Sequence, residues 1–314
     1  MSTDLHVVFG TGPVGCWIAR TLSAAGTPVR AVNRSGRRPG LMPAEVTVVA
    51  ADAADPAQAR EAAQGARVVY QALGPPYHLW EQQFPALQAG AIEAARAADA
   101  TYVSIENLYL YDSSKPISEN SRIAPQSKKG EVRRRLAAEV LDLHARGQLR
   151  AVALRASDYY GPGVVDSSLG ERVFGRLVAG GRAQLLGSSR LPHTFAYIED
   201  VGRAAVAVAT HESALGQAWI APHAPPRTQG EMVEAACRVL GTPPRYSVVS
   251  PLAMRVAGLF NPLARASVEM MYEFTAPFVV ASTRFEATFG LSATPIDQGI
   301  AATVAWYRSR PAPG

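Results

Sequence analysis

The sequence is poor in lysine, in cysteine and in long apolar runs, and each shortage excludes something. Lys115, Lys128 and Lys129 are the only lysines, so arginine carries nearly all the positive charge, and the net balance of 31 basic against 26 acidic residues is +5. The one tight basic run, Arg133-Arg134-Arg135, reads as a solvated helix face, and the scatter of the rest argues against a nucleic-acid partner. Cys16 and Cys237 lie far apart and outside any C-x-x-C or Cys/His spacing, which supports neither a disulfide framework nor a metal site and points to a reducing, cytoplasmic setting. The first apolar run, Val7-Val8-Phe9, is too short for a signal peptide or a membrane span, so no membrane partner is expected. Internal repeats and low-complexity segments are absent as well.

What is present is a rhythm. With 314 residues and 48% hydrophobic composition, the chain can bury one large core and a smaller appendage. Short apolar strands at 5–9, 28–33, 46–50, 67–72 and 101–105 alternate with alanine-rich helices at 13–25, 56–64 and 82–99. A helix at 127–146 and a strand at 151–155 continue the pattern. This predicts an α/β fold with a Rossmann-type doubly wound parallel sheet. After Tyr160-Gly161-Pro162-Gly163 the rhythm breaks into short, proline-rich elements, although Trp219-Ile220-Ala221 reads as one more sheet strand. The expected organisation is a dinucleotide-binding domain over 1–160 with a return strand near 195–222, and a discontinuous substrate lobe over 161–195 and 223–314.

Gly10-Thr11-Gly12-Pro13-Val14-Gly15 matches G-x-G-x-x-G between an apolar strand and a helix with proline in its first turn. The first glycine permits the tight turn, the second lets backbone approach a pyrophosphate, and the third allows close helix–strand contact; free N–H groups at the helix start bind the phosphates. Where an NAD site would offer a carboxylate to the ribose, the chain has Asn33-Arg34, followed by Arg37 and Arg38. Arginine can clamp a 2′-phosphate that a carboxylate would repel, so NADP(H) is the expected cofactor. Asp52 either meets the adenine edge or caps the helix starting near Pro56, a role open equally to Asp55. Ala72, Leu73 and Gly74 are small enough, at the end of the fourth strand, for backbone to pass close to the cofactor.

Taken together with Val103-Ser104, Asn107-Leu108-Tyr109, the stretch Arg155 to Gly163 and Phe195 to Val201, this turn resembles the extended and atypical short-chain dehydrogenase/reductases of the NAD-dependent epimerase/dehydratase type. The resemblance implies a serine at the end of the fifth strand and a Y-x-x-x-K on the next helix, with tyrosine exchanging the carbonyl proton and lysine holding the ribose. Here that pattern is damaged. With Lys129 as the family lysine, Pro125 occupies the tyrosine position, and the serine position falls on Ile105 or Glu106, beside Ser104. The literal Tyr111-x-x-x-Lys115 reads as a turn, because Asp-Ser-Ser follows the tyrosine and Pro116 follows the lysine.

Glu106, Tyr109 and Tyr111 are therefore the candidate proton donors, with Lys129 on the ribose and Ala156 and Ser157 near the nicotinamide. His78, Trp80, Tyr160 and His193 are candidate substrate contacts, with Tyr77 beside them; His78, Trp80 and Tyr77 read more readily as packing than as chemistry, His193 as a surface loop histidine, and the resemblance implies Tyr160 near the nicotinamide end. Met254, Phe260, Met270, Met271, Tyr272, Phe274 and Phe278 suggest an apolar substrate chamber or a homodimer face, against a default of helical core. The leading functional expectation is an NADPH-dependent reductase of a carbonyl, enone or imine of a small organic molecule. The alternatives are a noncatalytic NADP(H) sensor, and a sugar-type epimerase or dehydratase with tightly held cofactor.

Overall fold

The computed structural model describes residues 4–310. The outermost residues of the expected domain ranges, 1–3 and 311–314, lie outside the described residues. Six strands, β1 (Leu5–Phe9), β2 (Val29–Asn33), β3 (Thr47–Ala50), β4 (Ala66–Gln71), β5 (Thr101–Asn107) and β6 (Ala151–Ala156), join a short edge strand, Ala218–Ile220, in one sheet. Its order is edge strand, β6, β5, β4, β1, β2, β3, with every neighbouring pair parallel. The chain reverses its direction of travel across the sheet between β1 and β4, and a crevice opens there at the carboxyl ends of the strands.

Strands covered on both faces read as continuous apolar runs, as Val7, Val8 and Phe9 do. Their side chains alternate, with Val8 in the core beneath α1 (Pro13–Ala24) and helix Ile198–Thr210. Val7 and Phe9 enter the opposite core with residues of α2 (Pro56–Ala62) and α3 (Trp80–Ala97). A further long helix, α4 (Lys128–Ala145), covers that same face beside β5 and β6 and contributes Val140 to it. Asp55 caps α2, its Oδ1 accepting from the N–H groups of Ala57 at 2.9 Å and Gln58 at 3.3 Å. Asp52 instead closes a turn by accepting from the Ala54 N–H at 3.0 Å, so it is not the cap. No helix among the described residues is long and apolar enough to cross a membrane.

Beyond β6 the lobe is built from a parallel pair, Ala183–Leu186 with Tyr246–Val249, and helices Gln229–Leu240 and Ile296–Ser309. Its core gathers Leu169, Val173, Phe174, Met232 and Ile300. Segment Thr283–Phe289 returns to the sheet and packs Phe285 and Phe289 against Trp219 of the edge strand. Of the apolar residues expected to make a chamber or dimer face, Met254, Met270, Met271, Phe274 and Phe278 are buried, whereas Phe260 is 86% exposed.

His223 ties sheet to lobe. Its ring Nε2 accepts from the Ser157 N–H at 3.1 Å, and its own N–H donates to Ser282 Oγ at 3.0 Å. Burial pushes this imidazole down to about 4. Between that value and the ordinary histidine value near 6.5, the unfolded chain binds a proton that the folded chain does not, so stability falls as pH is lowered through this window. His6, also held near 4 by burial, acts with the same sign. The histidine at 223 is expected to cost about 3 kcal/mol by pH 4. Urea unfolding at pH 7 and pH 4 measures it, and His223→Asn should flatten the pH dependence.

Candidate active site

The phosphate-binding turn has the geometry its sequence implies. Gly10 adopts φ of +102°, a conformation that side chains disfavour. A Cβ at Gly15 would lie 1.9 Å from the Gly10 carbonyl oxygen, whereas one at Gly12 would meet nothing within 4 Å. Thr11 is fixed from β2, since Asn33 Nδ2 donates to Thr11 Oγ1 and to the Arg37 carbonyl, each at 2.9 Å. Pro13 and Val14 open α1, with Val14 buried under the turn. Arg34 and Arg37 are exposed at the end of β2. Arg38, an expected cofactor contact, instead donates from its guanidinium to the carbonyls of Pro43 and Val46, which stitches the loop before β3. Ala72 and Leu73 flank the crevice, half-buried, and Gly74 is exposed.

Glu106 and Tyr111 are taken up structurally. Glu106 is buried and accepts from Arg155 Nε at 2.8 Å and Ser104 Oγ at 3.0 Å, while Arg155 Nη1 donates to the Tyr111 phenol at 2.5 Å. Register explains the pairing, because Glu106 of β5 and Arg155 of β6 are direct cross-strand partners. Both expected donors are thus committed to a buried ion pair and its neighbour. Ala156 ends β6, and Ser157 donates from Oγ to the Thr194 carbonyl at 2.5 Å.

Pro125 lies outside α4, which Ser127 caps by accepting from the Gly130 N–H at 3.0 Å, so it shares no helical face with Lys129. The i,i+4 pair that α4 does present inward is Lys129 and Arg133, 5% and 3% exposed. Lys129 Nζ donates to Glu269 Oε1 at 2.6 Å and to the Ala266 carbonyl at 2.7 Å, and lies 5.2 Å above the Tyr77 ring. Arg133 rests over Phe84 at 4.6 Å and Trp80 at 5.6 Å, and its Nε and Nη1 have no partner among the described residues. The basic run is therefore not one solvated face, since only Arg134 and Arg135 turn outward, Arg134 pairing with Glu131. The missed signal is helical phase: Lys129, Val132, Arg133, Leu136, Ala137 and Val140 make one buried stripe.

Opposite this stripe stand phenols. The hydroxyls of Tyr77 and Tyr109 are 2.5 Å apart, and Trp80 backs Tyr109 with ring centroids 6.0 Å apart. Burial pushes both phenols well above the ordinary tyrosine value, so each keeps its proton at neutral pH. Trp80 donates from Nε1 to the Pro75 carbonyl at 2.9 Å and forms the wall behind the phenols, while His78 is exposed beside them. Tyr160, expected at the nicotinamide end, packs instead into the lobe core against Tyr197 and the backbone at Gly299, because its strand turns it away from the crevice.

The residue before its neighbour Tyr159 is the informative one. Asp158 Oδ2 lies 3.2 Å from His193 Nε2, and His193 Nδ1 lies 3.2 Å from the Glu273 carbonyl oxygen. His193 is no surface residue: its ring stacks with Phe195, Phe274 and Phe278. Glu273 is buried, and burial followed by the charge of Asp158 raises its carboxyl well above the ordinary range. Among the described residues, no group of three or more His, Cys, Asp or Glu side chains could hold a metal ion.

With Arg155 left as an unpaired buried charge, Glu106→Gln is expected to lose about 3–5 kcal/mol of stability. Guanidinium unfolding of the variant measures the loss.

A family match covers residues 7–220, to the NAD dependent epimerase/dehydratase family. No curated protein sequence gives a match. Among solved structures, UDP-glucuronic acid 4-epimerase from Bacillus cereus, in complex with UDP-glucuronic acid and NAD, is similar at 15% identity with a TM-score of 0.78. It covers 97% of this chain and 99% of the other. UDP-glucose 4-epimerase from Thermus thermophilus, in complex with NAD, is similar at 17% identity and a TM-score of 0.75 over 97% and 99%. WbmH from Bordetella bronchiseptica, in complex with NAD+, follows at 18% identity and 0.73 over 98% of each chain. At these identities the likeness is one of fold.

Proposed function

We propose that this chain, which belongs to the NAD dependent epimerase/dehydratase family, is an NADPH-dependent oxidoreductase that reduces a carbonyl-type double bond of a small organic substrate. The observation that carries this reading is the inward pair of α4, an ammonium and a guanidinium at the spacing where the family resemblance implies tyrosine and lysine. A nicotinamide dinucleotide fits the residues present. The space at Gly12 admits a pyrophosphate, and the unpartnered Nε and Nη1 of Arg133 suit ribose hydroxyls. When bound, the cofactor supplies the hydride.

The chain's own residues do the rest. Gly10 to Gly15 hold the diphosphate at the start of α1. Arg34 and Arg37, at a β2 end that carries Asn33 in place of an acid, give the preference for a 2′-phosphate. Lys129, ion-paired to Glu269, is a donor with no acceptor capacity and delivers a proton to the oxygen or nitrogen that gains charge. The phenols of Tyr77 and Tyr109, which keep their protons, orient that atom by hydrogen bonding. A reductase needs such donors, whereas an epimerase must first remove a hydroxyl proton, a task for which a paired ammonium is poorly suited.

NADPH and NADH fluorescence titrations test the cofactor. NADPH should bind at least ten-fold tighter, and Arg34→Ala with Arg37→Ala should erase the difference. NADPH oxidation against a panel of ketones and imines tests the reaction. Lys129→Met should lower kcat about 10²–10⁴-fold with NADPH binding retained, and Arg133→Met should weaken NADPH binding itself. The absence of turnover with every substrate, beside intact NADPH binding, would favour a cofactor-sensing role.

A further inference from the structure

Two carboxyl groups beside this site, those of Asp158 and Glu273, have no lysine or arginine partner among the described residues. Glu273 is 3% exposed, and its carboxyl group makes no hydrogen bond or ion pair among the described residues. Asp158 accepts from Ser168 Oγ at 3.3 Å and faces His193, whose other ring nitrogen meets the backbone of Glu273. The imidazole, stacked among three phenylalanines, thereby fixes the two acidic residues side by side. Tyr272, the residue before Glu273, packs with Tyr77, Trp80 and Tyr109, which brings the two acidic residues beside the ring cluster, and after burial both acids add to the upward push on these phenols.

A buried carboxyl group with no partner is costly, and the cost is removed when a cation arrives. The surroundings suit one. Aromatic faces attract cations, and the chain's own ammonium already demonstrates the contact, Lys129 Nζ lying over the Tyr77 ring while its charge is committed to Glu269. A neutral carbonyl compound would take a hydrogen bond from a protonated Glu273, but it would offer nothing to Asp158.

We propose that Asp158 and Glu273, beside the aromatic cluster of Tyr77, Tyr109 and Tyr272, bind a cationic nitrogen, so that the substrate of the proposed reduction is a protonated imine and its product an amine. This inference rests on the NADPH-dependent reductase reading. Hydride from NADPH adds to the iminium carbon, the C=N π pair moves onto nitrogen, and the nitrogen becomes a neutral amine; NADPH is oxidised and the imine reduced. The carboxylates stabilise the positive nitrogen before transfer, and the neutral amine takes the proton that Lys129 delivers and binds them as an ammonium.

Calorimetric titration of the protein with n-butylammonium and with n-butanol tests the binding claim, both in saturating NADP+ and without cofactor. The ammonium is expected to bind at least ten-fold tighter than the alcohol. Glu273→Gln and Asp158→Asn should each remove most of that preference while circular dichroism and the melting transition stay native. Equal binding of the two probes, binding of neither, or an unchanged preference in both folded variants overturns the inference. NADPH oxidation with 1-pyrroline against cyclopentanone tests the chemistry: faster turnover of the imine, lost in Glu273→Gln, supports it, and a preference for the ketone overturns it. Failure of NADPH binding, or of turnover with both compounds, strikes the reductase reading instead, and the cofactor-free titration still decides whether the cation site exists.

Discussion

The carboxyl ends of β5 and β6 are held together by the ion pair of Glu106 and Arg155, both buried, and the candidate site is hung from those two strand ends. A charge pair in such a place is tolerable only when its hydrogen bonds are filled, and here Ser104 and Tyr111 fill them. From the end of β5 the chain enters the loop that carries Tyr109 to Tyr77. From the end of β6 it runs within two residues to Asp158. The pair thus anchors, from one point, the segments that lead to Tyr109 and to Asp158, and this role leaves Glu106 no freedom to act as a proton donor.

Against that fixed edge, α4 contributes through its rotation. A helix places residues four apart on one face, and burial of Val132, Leu136 and Val140 turns Lys129 and Arg133 inward with them. Two cations on an apolar stripe are unfavourable without partners. Lys129 has Glu269, brought by the lobe, whereas Arg133 has, among the described residues, the faces of Phe84 and Trp80. The unequal treatment of two neighbours on one stripe leaves Arg133 Nε and Nη1 buried without a hydrogen-bond partner among the described residues, which is the feature behind the cofactor contact proposed for it.

The strand–turn–helix at the start of the chain was legible because its causes are local: glycines where a side chain would strike backbone, proline in a first turn, and apolar residues in series. The sheet followed from the same alternation, and β5 ran two residues past its expected end because Glu106 pairs across to β6. Tertiary partners were not legible. Glu106 and Arg155 are 49 residues apart, and Lys129 and Glu269 are 140 apart, with no local pattern joining them. Arg133 was readable but was hidden by composition, since a run of three arginines suggests solvent until helical phase separates the first from the other two. Tyr160 shows the reverse error. The family resemblance located its segment correctly, but the direction of a side chain depends on strand rotation, which set Asp158 toward the site and Tyr160 into the lobe core.

These placements divide the site by charge. Basic groups come from α4, acidic groups from the start and the far part of the lobe, and protonated phenols pack against α4. In water such a separation would collapse into ion pairs or be screened, but burial preserves it, because Lys129 is already bound and Glu273 keeps its proton when nothing positive is near. A molecule entering between the two sides meets donors at one end and latent acceptors at the other. Its orientation is then set before any bond changes, and the same polarity that orients it selects for a group able to carry positive charge on the acidic side.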